Sequence, residues 1–179
     1  MWPFSLFQSK PEVKRALIPK SVMPTVVTEK QIPPSSTGIT YNPNLIAKLK
    51  GDHQELFAIY TRLHDSGLSS RFAKITDDLV VLRRAFNGHI LLENVRFYVY
   101  LEKLLKNQPE EKNYVHSLRK DMNGIANAVS TFCEKWITTP VTPATQAAFN
   151  AELQGIGGAL TARVELEETT LYTLYVDSL

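Results

Sequence analysis

His89 and Glu93, four residues apart, interrupt the apolar stripe of the longest helical pattern in this chain. The stripe is Leu79, Leu82, Phe86, Phe97 and Tyr100, and the two polar residues occupy the positions that continue it. Side chains four apart stack on one helix face, so an imidazole and a carboxylate point together into the core. Such groups are costly to bury unless something satisfies them. Two other patterns carry the same anomaly. His53 interrupts Leu45, Leu49, Leu56, Tyr60 and Leu63. Arg163 and Glu167 interrupt Phe149, Leu153, Ile156, Leu160, Leu171 and Leu174, with Glu168 at the edge of that face.

Two chemistries suit this set. The plainer one is a buried hydrogen-bonded network, with Arg163 paired to Glu93, Glu167 or Glu168 and the histidines completing it. Buried ion pairs are tolerated only with such satisfaction. The sharper one is a metal site. A lone core histidine is more often structural than a ligand. Two histidines and two or three carboxylates on facing helices, however, are what borderline or hard divalent ions use inside bundles.

Four amphipathic segments must position these residues. Asn42 is a suitable N-cap and Pro43 suits the first helical position of helix one, which ends near Ser66-Gly67. Helix two runs from about Thr76 to about Lys106, after a loop or preliminary turn over Leu68 to Ile75. Pro109 opens helix three, which carries Val115, Leu118, Met122, Ile125, Val129, Phe132 and Trp136. Pro140 and Pro143 break the chain, and Thr142 is the N-cap expected for helix four. The expected fold is all-α, an antiparallel up-down four-helix bundle over residues 43–179. Helix lengths put Glu93 opposite Met122. They put His53 opposite the segment before His89, unless the link between the first two helices makes up the offset.

Six of the ten prolines precede Tyr41, so residues 1–42 are expected to form an extended Pro-rich arm. Its apolar tip, Met1 to Phe7, has Lys10, Lys14, Arg15 and Lys20 nearby. It suits a weak peripheral membrane or partner contact, although an arm that packs on its own bundle or stays loose is the plainer reading. The tip lacks a preceding basic region and a cleavage site, so it does not read as a signal peptide. A net charge of +2, without a basic block, gives no sign of a nucleic-acid partner. Cys133 is the only cysteine, which excludes an intrachain disulfide and suits the cytoplasm. It has no clear local activating partner. No apolar run reaches transmembrane length.

The segments Leu49-Lys50-Gly51-Asp52-His53, His89-Ile90-Leu91-Leu92-Glu93-Asn94 and Glu167-Glu168-Thr169-Thr170-Leu171-Tyr172 resemble bacterial hemerythrin-like (HHE cation-binding) domains. The resemblance spans roughly Pro43 to Tyr175. It implies a bundle around a non-haem di-iron centre that binds oxygen or senses oxygen, nitric oxide or iron. By motif position His53 and His89 resemble terminal ligands of one iron. Glu93 and one carboxylate of Glu167-Glu168 resemble the bridging ligands, with Glu168 better placed by its spacing from Arg163. The second iron's histidine positions hold Met122, Ala126 and Arg163 instead. A thioether and a methyl cannot replace imidazoles, and the Arg163 guanidinium stays protonated. It can instead compensate the bridging carboxylates as a fixed charge. The resemblance therefore implies one iron or other divalent ion, or none.

A second resemblance covers less of the chain. Ile156-Gly157-Gly158-Ala159-Leu160-Thr161-Ala162-Arg163-Val164-Glu165-Leu166-Glu167, with Gly88-His89, resembles regulators that bind the primary sigma factor of RNA polymerase. That family implies a metal-free bundle acting on the transcription machinery. The leading expectation is a degenerate hemerythrin-like sensory or regulatory module with a protein partner, not an enzyme. The sigma-factor regulator is the alternative, and an oxidase at a remaining iron is the third.

Overall fold

Apolar residues at helical spacing become helices wherever the stripes run. A computed structural model describes residues 39–177, and all regular structure among them is helical. α1 spans Leu45–Leu68 and α2 spans Phe72–Leu92. A π-helical stretch, Glu93–Tyr98, joins α2 without a break to α3, Val99–Leu104. α4 spans Pro109–Thr138, α5 spans Gln146–Thr169, and a 3₁₀ turn, Leu171–Leu174, follows. The joined α2–α3 rod and the three other long helices are the four segments the stripes predict.

Several ends follow from local chemistry. Pro109 opens α4, where its missing N–H costs nothing. Glu110 and Glu111 in the same turn complement the helix dipole. Before α1 the Asn42 side chain accepts from the Asn44 N–H at 3.0 Å, although regular helix begins only at Leu45. Before α5 the Thr145 hydroxyl accepts from the Thr142 N–H, at 2.9 Å. Thr145, rather than Thr142, is the residue immediately before that helix.

The first link differs from expectation. α1 continues through Gly67 to Leu68, and Ser70 takes the left-handed conformation, with φ 55°. Gly67 serves packing instead: a Cβ there would stand 2.2 Å from Asn150 Oδ1 of α5. α2 then starts at Phe72, earlier than expected. The link is short, and His53 and His89 come to lie at similar distances from it along their helices. The offset between them disappears.

α1 packs on α2 and α5, and α4 packs on the same two helices. His53, early in α1, meets Glu167, late in α5, at 3.1 Å. At the other end the Gln146 amide donates to the Gly67 carbonyl at 2.6 Å. Arg119 of α4 reaches Asn94 at 2.9 Å, within a turn of the expected Glu93–Met122 register.

The apolar interior forms two clusters. One contains Leu56, Leu63, Leu79, Phe86, Met122, Trp136 and Phe149. The other contains Leu49, Phe97, Tyr100, Leu118, Leu171 and Tyr175. His53, His89, Glu93, Arg163 and Glu167, all buried, lie along the helices between them. A charged layer thus divides the core. Tyr41 stacks on Tyr175, ring centres 5.0 Å apart, so part of the segment assigned to the arm joins the second cluster. The arm's remaining residues lie outside those described. Among the described residues no helix is long and apolar enough to cross a membrane.

Candidate metal centre

The charged layer is assembled by three helices, each contributing where its stripe turns polar. α1 supplies His53, α2 supplies His89, and α5 supplies Arg163 and Glu167. Glu93 opens the π-helical stretch. Such stretches recur at functional sites. Here the altered winding buries both Phe97 and Tyr98, two consecutive residues, and brings the Tyr98 hydroxyl to Arg163.

His53, His89 and Glu167 each present one potential ligand atom, and these atoms lie within 4.8 Å of one another. His53 Nε2 faces Glu167 Oε2 at 3.1 Å. Its Nδ1 faces Glu168 Oε1 at 2.8 Å. The His53 and His89 rings are 4.7 Å apart. Tyr172 lies over the group, with its hydroxyl 3.3 Å from His53 Nε2 and 3.5 Å from both Glu93 Oε1 and Glu167 Oε2. Glu93 therefore meets the cluster at the Tyr172 phenol and at Glu167 itself.

Arg163 completes the layer from the α4 side. Its Nε donates to Glu167 Oε1 and one terminal nitrogen donates to the Tyr98 hydroxyl. The other donates to the Leu118 carbonyl at 3.0 Å. Met122 is buried in the adjoining apolar cluster and Ala126 packs against it. The guanidinium thus neutralises Glu167 on the side that faces α4.

The layer's electrostatics follow from this geometry. Burial opposes the charged form of His53, but its bonds to Glu167 and Glu168 prevail and raise its pKa. Burial, then the His53 charge, pushes His89 down to about 4. Burial and the neighbouring Glu167 charge push Glu93 up to about 8. Glu167 is also penalised by burial, but His53 and Arg163 outweigh this and hold it below the usual carboxylate range. Burial raises the Tyr98 and Tyr172 phenols. At neutral pH the metal-free layer holds an ionised Glu167 beside the Arg163 guanidinium, with Glu93 and His89 uncharged and His53 biased toward its protonated form.

The donors fit a single divalent cation. Two imidazoles and a carboxylate are a set for iron, zinc or manganese. A second carboxylate, Glu93, can ionise when positive charge arrives. His89 Nδ1 is buried without a hydrogen-bond partner among the described residues.

Glu167, rather than the better-spaced Glu168, is in the compact group. Glu168 instead bonds the opposite nitrogen of His53 and is partly exposed. His116 is exposed on α4, and Cys133 is buried in the apolar core, which raises its thiol to about 11. Tyr98, Tyr172 and Asp52 are the layer's neighbours that the apolar stripes do not reveal. Tyr98 owes its place to the π-helical winding, and Tyr172 lies beyond the end of α5. The aromatic doublet Phe97-Tyr98 was the available signal.

Histidines and carboxylates converging from three helices onto one buried point define a helical cation-binding domain. The hemerythrin HHE cation binding domain matches residues 44–175, and the chain belongs to that family. Comparison with curated proteins and with solved structures finds no match.

Proposed function

We propose that the protein is a sensory or regulatory hemerythrin-like module, an up-down antiparallel four-helix bundle that holds one divalent metal ion, iron being the leading candidate. His53, His89 and Glu167 are the ligands, and Glu93 is the carboxylate that joins them on ionisation. Arg163 takes the electrostatic place of a second metal. The observation that carries this reading is Arg163 bonded to the carboxylate that completes the buried group with His53 and His89. A bound metal would supply Lewis acidity and, for iron, a site for a small diatomic ligand. The protein's residues would fix its position and exclude bulk water. The lone cysteine suits a cytoplasmic setting, and the output passes to a protein partner.

Metal titration tests this directly. Cobalt(II) or zinc is expected to bind the metal-free protein at one site and raise its unfolding midpoint, since a ligand of the native state stabilises it. His89→Ala and Glu167→Gln are expected to abolish the rise. An unchanged midpoint in the wild type would contradict the reading.

One observation favours the alternative, a metal-free regulator of the transcription machinery. Arg163, Glu167, Tyr98 and the Leu118 carbonyl already satisfy one another. Under this alternative no metal binds, and the chain is expected to associate with the purified primary sigma factor.

A further inference from the structure

The two histidines have matching surroundings on the side away from the cluster. His53 Nδ1 meets Glu168 Oε1 at 2.8 Å, and the other oxygen of that carboxylate lies 3.7 Å from Lys50 Nζ. His89 Nδ1 faces Asp52 Oδ2 at 3.9 Å, and the other oxygen of that carboxylate accepts from Lys48 Nζ. In each case a carboxylate is shared between a lysine of α1 and the Nδ1 of a core histidine. The difference is distance. The His53 pair is a hydrogen bond, whereas the His89 pair is about one ångström too long for one.

Asp52 and His89 line the same groove between α1 and α2, a space of about 470 Å³ that also touches Lys48, Glu55, Arg84 and Gly88. The Asp52 side chain is 13% exposed there. Its carboxylate borders the open space of the groove. His89 is 4% exposed, and its Nδ1 has no partner among the described residues. A buried ring nitrogen left unbonded costs free energy, and Asp52 is the carboxylate placed to relieve that cost. The charged and titratable groups that line the groove with it are Lys48 and Glu55 on its own helix, and His89 and Arg84 across the groove.

We infer that Asp52 is a positioning residue for His89: its carboxylate accepts a hydrogen bond from Nδ1–H, which keeps the proton on Nδ1 and leaves Nε2 as the lone-pair nitrogen that faces a cation. Glu168 does the same for His53, and Lys48 and Lys50 keep the two carboxylates in place. A hydrogen bond on the far nitrogen fixes the tautomer and raises the basicity of a histidine ligand. Removing such a partner typically weakens metal binding by about 10–100-fold. The affinity consequence rests on the one-metal reading above; the tautomer consequence does not.

Two measurements test this on the full chain. The first uses the metal-free protein, with ¹⁵N-labelled histidine observed by NMR at neutral pH, where His89 is uncharged. The wild type is expected to show His89 protonated on Nδ1. Asp52→Asn retains an acceptor and is expected to preserve that state, whereas Asp52→Ala is expected to move the proton toward Nε2. An Nε2-protonated His89 in the wild type, or no difference between wild type and Asp52→Ala, would overturn the inference even if no metal binds. The second measurement is zinc affinity by competition with a chromogenic chelator. Asp52→Ala is expected to weaken binding about 10–100-fold while the metal-free protein still unfolds cooperatively, with Asp52→Asn close to wild type. Wild-type affinity in Asp52→Ala would reduce Asp52 to a surface partner of Lys48. A wild type that binds no zinc, with the expected tautomer, would instead overturn the metal reading and leave the positioning role supported by the first measurement.

Discussion

At the scale of single residues, Arg163 is, in the proposed reading, what separates this chain from a protein with a full second metal site. Its guanidinium faces Glu167, Tyr98 and a backbone carbonyl in the buried layer. Removing one partner of a buried pair leaves an uncompensated charge. Arg163→Leu is therefore expected to cost about 3–5 kcal/mol, read by equilibrium denaturation at neutral pH. A wild-type midpoint would show that the guanidinium does not compensate Glu167. The other titratable groups give a pH signature in the metal-free state. Glu93, raised to about 8, keeps a proton that the unfolded chain loses. Its contribution is full below the unfolded carboxylate range and falls as pH rises toward 8. His89, lowered to about 4, acts in the opposite sense, and its contribution is complete above the ordinary imidazole range, about 6.5. His53 is raised, so its contribution also declines with rising pH. Between about pH 6.5 and 8.5 the metal-free protein should thus lose stability. Glu93→Gln should lessen that loss, and a profile that rises over this interval in the wild type would contradict the assigned charges.

At the scale of elements, the stripes made the four rods legible, because apolar periodicity and the prolines at the breaks are local signals. The same stripes exposed His53, His89, Glu93, Arg163 and Glu167, since a polar residue on an apolar face stands out without any tertiary knowledge. Other features needed three-dimensional information. The π-helical winding at Glu93–Tyr98 leaves no periodic trace in so short a segment, and it decides where Tyr98 points. The choice between Glu167 and Glu168 depends on the rotation of α5, which one residue of spacing cannot settle. Gly67 suggested a helix end but instead admits α5. Gly157 marks a second close approach. A Cβ there would stand 2.4 Å from the Tyr60 ring, whereas one on Gly158 meets nothing within 4 Å. Gly157→Ala is expected to destabilise by about 1–3 kcal/mol through overpacking. Gly158→Ala should stabilise by about 0.5–1 kcal/mol through helix propensity. Equal effects in thermal unfolding would mean that α1 and α5 are not in close contact at Gly157.

At the scale of the whole molecule, the charged layer divides the apolar core into two clusters. Apolar residues would fill the space between the two clusters at no desolvation cost, and in the proposed reading a bound cation offsets the cost of burying two imidazoles and two carboxylates there. The apolar stripes all lie beyond the Pro-rich segment, so a chain beginning at Ile39 is expected to unfold cooperatively with nearly the full-length midpoint. Loss of cooperativity would show that the missing residues belong to the core. The central claim is a single metal at a site whose second half has become Arg163, Met122 and Ala126. Iron per chain, after anaerobic purification from iron-replete cells without a metal-binding tag, tests it most directly. One tightly held iron, without the absorption of an oxo-bridged pair, is the expected result; two irons per chain with that absorption, or none, would contradict it.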